Sequence, residues 1–281
     1  MVMQASINET GVANFLGTST TGGGMAAIKV ALDTIFAHAN VPPFVSKQLI
    51  QRLVTSNPSP AYVGRVSAVF ANNGAGVRGD MKSIFAAVLL DNEARSPAGL
   101  ADMNFGRLRE PMLRFVQWAR TFGAASTTGN WKIGNLSRPN DQLGQSPLRS
   151  PSVFNFFRPG YVPPSTALAS AKMVAPEFQL VNETSVGGYV NYMQGALQRT
   201  TKDVNGTYGS EFPLVLDPPA LVQRLNLLLA ANQLSPSTVA LITSALNTPV
   251  VSASSTDAVK LNRIYAAVLM VMASPSYLIQ K

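Results

Sequence analysis

The sequence predicts a mostly α fold, an irregular helical bundle with long loops rich in proline and aromatic residues. Three observations predict it. Apolar residues recur at helical spacing in one segment after another between Met25 and Met272. Pro-Pro, Ser-Pro and Asp-Pro pairs stand where helices would open, because a first-turn N–H has no partner to lose. No strand-period run of useful length interrupts the series. With 46% hydrophobic and 13% charged residues in 281, the chain can bury a sizeable core and does not have the composition of a disordered one.

Residues 1–24 are polar, small and glycine-rich, and are expected to form a flexible or loosely docked N-terminal arm. Residues 25–281 are expected to form a single helical domain. Its first helix carries Ile28, Leu32, Ile35 and Phe36 inward and ends near Ala39-Asn40. A second opens at Pro42-Pro43 with Phe44, Val45, Leu49 and Leu53 as its apolar stripe. Ser59 caps a third, with Pro60 at its first position and Tyr62, Val63, Val66, Val69 and Phe70 inward. The run Asn72-Asn73-Gly74-Ala75-Gly76 ends it with residues that tolerate positive φ. Met81, Ile84, Phe85, Val88 and Leu89 mark a fourth, and Pro111 to Trp118 a fifth that stops at Gly123.

A polar loop follows, with Trp131 at its tip, and then the segment from Ser146 to Glu183. It holds six prolines, four phenylalanines and Tyr161. Five of the prolines lie between Pro147 and Pro164 and forbid a long helix there. The run Phe154-Asn155-Phe156-Phe157 is too apolar for water, so a buried belt is expected, either as plain core filling or as one wall of an apolar ligand groove. A helix is expected from Ser165, and another from Pro176 through Phe178 to Met193, with Gly187-Gly188 either weakening it or admitting a second backbone. Asp217-Pro218 opens a helix with Leu221, Leu225, Leu228 and Leu229. Ser235-Pro236 opens one with Val239, Ile242 and Leu246. The last runs from Asp257 to Met272.

Several function classes fall away on composition. The chain has no cysteine, which removes disulfides, thiolate metal sites and cysteine nucleophiles. No apolar run is long enough for a membrane span, and no basic n-region precedes an apolar h-region at the start, so no signal peptide is expected. The net charge is +8, but Arg52, Arg65, Arg78, Arg95, Arg107, Arg109, Arg114 and Arg120 are scattered. That pattern reads as a solvated basic surface and argues against nucleic acid as the partner.

Several runs resemble a bacterial family catalogued as "domain of unknown function 1800". They are HANVPPFVSKQLIQRLVTSNPSPAYVGRVSAVFANNGAGVRGDMKSIFAAVLLDNEAR at 38–95, LGQSPLRSPSVFNFFRPGYVPPS, EFQLVNETSVGGYVNYM and the closing YAAVLMVMASPSYLIQ. The resemblance covers roughly residues 25–281. Usual members have a proline after the histidine that matches His38, where this chain has Ala39. They are also longer, often with an export signal, so the resemblance implies that this chain corresponds to their C-terminal half. It implies a fold and a bacterial origin but no reaction.

Candidate chemistry is sparse. His38 is the only histidine and so the only candidate general base, but no G-x-S-x-G elbow supplies a nucleophile. It reads equally as a histidine closing a helix C-terminus. One histidine and no cysteine leave mainly oxygen ligands, which favour calcium or magnesium over zinc. The loop Asp203-Val204-Asn205-Gly206-Thr207-Tyr208-Gly209-Ser210-Glu211 offers Asp203, Asn205, Thr207 and Glu211 to such an ion, or forms an Asx-turn. Phe154, Phe156, Phe157 and Tyr161 are the expected groove for a small apolar molecule. Two functions follow from different classes. One is a calcium-assisted hydrolase of small apolar esters or lactones such as acyl-homoserine lactones. The other is a non-catalytic helical binding or scaffold module of a bacterial envelope assembly.

Overall fold

The computed structural model describes residues 11–21, 23–198 and 203–281. Helices, thirteen of them α, make up 53% of the described residues, and the strands among those residues are two or three residues long. Mostly α is therefore the observed class. The chain divides into two compact units, residues 1–53 with 58–95, and residues 54–57 with 96–281.

The first unit opens on a hairpin, β1 (Ala13–Phe15) against β2 (Thr18–Thr20). The expected arm thus contains this hairpin; residues 1–10 and 22 lie outside the described residues. Four helices follow: α1 (Gly24–Ala37), α2 (Val41–Leu53), α3 (Pro60–Ala71) and α4 (Met81–Leu90), with a single turn α5 (Asn92–Arg95). The expected Ser59 cap and the 72–76 turn are present, and Asp80 adds a cap that the sequence reading did not name. Ser59 accepts from Tyr62 N at the start of α3, and Asp80 accepts from Lys82 N and Ser83 N at the start of α4. Asn72 Oδ1 takes the N–H groups of Gly74 and Gly76, both at positive φ. Ile50, Tyr62, Val66, Phe70, Ile84 and Val88 are buried.

Two expected stripes are corrected here. On α2 the buried positions are Pro42, Ser46, Ile50 and Gln51, while Phe44 and Leu53 are exposed. The buried face therefore takes in two polar side chains that hydrophobic periodicity passes over. On α1 nothing is buried: Ile28, Leu32, Ile35 and Phe36 are all exposed to some degree. Arg78 ties its C-terminus down, donating from Nε to Phe36 O at 2.9 Å and from Nη2 to His38 O at 3.1 Å.

The second unit holds α6 (Ala98–Ala101), β3 (Arg107–Leu108), α7 (Pro111–Thr121), β4 (Ala125–Ser126), α8 (Ala167–Ser170), α9 (Glu183–Leu197), β5 (Val204–Asn205), α10 (Pro218–Ala230), α11 (Pro236–Leu246), α12 (Asp257–Ala273), α13 (Pro275–Leu278) and β6 (Ile279–Gln280). Its core is one cluster in which α10 and α12 bring Leu221, Leu225, Leu229, Ile264, Val268 and Met272 together, with Trp118 from α7 and Met193 from α9. Two antiparallel pairs tie distant segments: β3 to β6 and β4 to β5.

The stretch after α8 is also corrected. Pro176–Leu180 is a 3-10 turn, and α9 starts afresh at Glu183 rather than continuing from Pro176. Asn182 causes the break: its side chain accepts from Ser185 N while Ser185 Oγ accepts from Asn182 N, a reciprocal cap that fixes a new helix start. Gly188 in α9 does admit a second backbone, since a Cβ there would sit 2.1 Å from Pro139 O.

The aromatic belt is buried only at one end. Phe157 is 2% exposed and Phe156 is half-buried, but Phe154 is 59% exposed and Leu148 and Val153 stand in solvent. Asn155 takes φ +67, so the chain turns inside the aromatic run instead of laying all of it against the body.

Candidate functional site

The site is built on the start of α7. Pro111, Arg114, Phe115 and Trp118 form its buried face, the i, i+3, i+4, i+7 pattern of an amphipathic helix with an arginine in the apolar stripe. Arg114 is 5% exposed. Its Nε donates to Arg109 O at 2.8 Å, and its guanidinium lies 4.7 Å from the Tyr189 ring centroid. Tyr189 Oη in turn donates to Met272 O at 3.3 Å. Burial lowers the pKa of the Arg114 guanidinium from its ordinary value and pushes the Tyr189 phenol up to about 12, so the phenol stays protonated at neutral pH.

Acidic side chains near this region are committed elsewhere. Arg107, also buried, reaches Glu177 Oε1 at 3.4 Å and Glu110 Oε1 at 3.6 Å. Glu110 further accepts from Gln145 Nε2, whose own Oε1 takes Met112 N at 3.1 Å. Arg109 donates to Gln117 Oε1 at 2.7 Å and stacks 4.9 Å over Tyr277. Tyr277 Oη donates to the same Gln117 oxygen at 3.1 Å. Among the described residues no carboxylate pairs with Arg114.

Arg114 lines a pocket of about 250 Å³. Its walls are Leu108, Pro111, Tyr189, Val190, Leu278 and Ile279, together with Phe178, Leu180, Val181 and Val186. The 3-10 turn and the first turn of α9 form its rim, and Val181 and Val186 are exposed there. The lining is apolar apart from Arg114, the Tyr189 hydroxyl and Ser185, whose Oγ is spent on Leu180 O at 2.8 Å.

The residues singled out from the sequence fall elsewhere. His38 follows α1, is exposed, and accepts from Asn40 N at 3.1 Å through Nδ1. Of Phe154, Phe156, Phe157 and Tyr161, Phe156 lines a hollow of about 360 Å³ shared with Glu110, Met112 and Gln145. The belt does not shape the Arg114 pocket.

The 203–211 loop binds its own neighbours. Asp203 accepts from Ser126 Oγ, Thr127 Oγ1, Thr128 N and Thr128 Oγ1, all within 2.9 Å. These donors hold its carboxyl well below the usual range, Ser126 most strongly. Asn205 Nδ2 donates to Asp203 O, and Thr207 Oγ1 to Phe122 O at 3.0 Å. Glu211 is buried and takes Arg224 Nε at 2.7 Å. Asn205 Oδ1 is buried without a partner. Among the described residues no three His, Asp or Glu side chains gather round one point.

Sequence reasoning missed Arg114 and Arg107 by placing both on a solvated basic surface. The signal was present: Arg114 sits three residues after Pro111 and four before Trp118, inside the apolar stripe.

The family described as Protein of unknown function (DUF1800) matches residues 1–279. The chain belongs to this family. The match takes in the first 24 residues, which the shared motifs alone leave outside the similarity, and it spans every wall of the Arg114 pocket in this DUF1800 protein. Neither the curated proteins nor the solved structures give a match. No helix among the described residues is long and apolar enough to cross a membrane.

Proposed function

We propose that the protein is a non-catalytic binding module that holds a small apolar molecule in the pocket between α7, α9 and α13. The observation that carries this reading is the pocket itself: a cavity of about 250 Å³ with an apolar wall and a mouth at Val181 and Val186. Small-molecule sites are of this kind, mostly apolar with a few polar groups that orient the ligand, though this one falls just below their usual ~300–1,000 Å³. Binding is favoured over hydrolysis because no nucleophile–base pair stands at the pocket. The tyrosine there is held protonated, and Ser185 is engaged by backbone carbonyls.

The test uses N-phenyl-1-naphthylamine, a neutral dye that brightens in apolar surroundings. Its fluorescence should rise saturably with the wild-type protein. Val186→Trp, which places a large side chain at the mouth, should weaken that binding at least fivefold while leaving the circular dichroism spectrum unchanged. A dye that fails to saturate, or saturates equally with both proteins, counts against the pocket. Steady turnover of para-nitrophenyl octanoate by the purified protein would overturn the non-catalytic part and restore the ester- or lactone-hydrolase reading.

A further inference from the structure

Arg114 poses a problem that the folded chain does not solve by itself. A guanidinium taken out of water without a counter-charge is strongly disfavoured, and buried cations are ordinarily paired. Arg114 is 5% exposed and has one backbone carbonyl and Tyr189, through its ring and a side-chain hydrogen bond, for company, but no counter-charge. The nearby carboxylates of Glu110 and Glu177 are drawn to Arg107 instead. The guanidinium nevertheless lines the cavity, so whatever enters can reach it.

Resting on the binding reading above, we infer that the ligand is a monocarboxylate with an apolar chain: its head group pairs with Arg114 and its tail lies along Leu108, Val190 and Leu278. One carboxylate supplies the missing charge, and the terminal guanidinium N–H groups not taken by Tyr189 can donate to its oxygens. A phosphate monoester fits less well. Among the described residues Arg114 is the only cation in the lining, so the second negative charge would be desolvated without a partner. The volume limits the tail to a short or medium chain.

Calorimetric titration with sodium octanoate and with 1-octanol separates the head group from the tail. Wild-type protein should bind octanoate at least about tenfold more tightly than octanol, the scale of a charge-assisted hydrogen bond. Arg114→Gln should abolish that preference and leave octanol affinity within twofold. Arg114→Lys keeps the charge but not the fork, and should retain part of the preference; it carries the test if the glutamine variant does not fold. Octanol bound as tightly as octanoate, or a preference that survives Arg114→Gln, overturns the carboxylate while the pocket stands. Failure of both compounds to bind overturns the pocket as well.

Discussion

Asp203 gathers four close hydrogen bonds from Ser126, Thr127 and Thr128 and a longer one from Lys132 N at 3.3 Å. One carboxylate thereby fixes the loop that carries Trp131 against β5. The donors favour the ionised form, so the folded pKa lies below the unfolded value of about 3.9. A depressed carboxylate contributes stability that is fully present above its unfolded pKa and is lost as pH falls through the folded one. Asp203→Asn should therefore lower the melting temperature by a constant amount between pH 7 and about 5, and by less below about 4. Amide exchange at Thr128 and Lys132 should quicken in the variant. Because its donors are all protein groups, added calcium or EDTA should leave the wild-type melting temperature unchanged. A calcium-dependent rise would restore the ion to this loop. The sequence shows Asp and Asn on a glycine-bent turn, which is the raw material of either a cation site or a clasp. The partners that decide between them lie about 75 residues upstream, beyond the reach of local spacing.

At the level of the element, α9 makes the most direct prediction. Gly187 and Gly188 are adjacent and look alike in the sequence, yet a Cβ on Gly187 meets nothing within 4 Å while one on Gly188 would lie 2.1 Å from Pro139 O. Neither has positive φ, so alanine costs no backbone strain at either. Gly187→Ala should stabilise by up to about 1 kcal/mol, the helix-propensity gain. Gly188→Ala should destabilise by about 1–3 kcal/mol, because a carbonyl of the backbone must move. Chemical denaturation of the pair checks both signs. Helices that carry their own caps, such as α3, α10 and α11, were legible because Ser59, Asp217 and Ser235 act within three residues of themselves. The buried face of α2 was not, since Ser46 and Gln51 displace Phe44 and Leu53 from it. The Arg114 pocket lay hidden for a related reason. Its walls come from β3, α7, α9 and α13, and a lone arginine in an apolar stripe shows its meaning only when those segments meet.

Across the whole chain, the two units differ in how much apolar surface they remove from water. The second has a cluster running through α7, α9, α10, α11 and α12. The first buries Ile50, Tyr62, Val66, Phe70, Ile84 and Val88, and its α1 buries no residue at all. Local opening follows buried contacts, so segments with few of them open at low cost while the densest core opens only with global unfolding. A helix of fourteen residues such as α1 is marginal in water without a packed face. Native-state hydrogen exchange should therefore rank α1 as the least protected of the long helices, with α3 and α4 intermediate. Protection in α10 and α12 should match the stability measured by denaturation. Octanoate at saturation should raise protection around Arg114 and Tyr189 and leave α1 as it was, because the pocket is built within the second unit alone. Protection in α1 equal to that of α12 would show that its exposed row of Ile28, Leu32, Ile35 and Phe36 is covered in solution. A ranking with the first unit above the second would overturn the link drawn here between buried contacts and local stability.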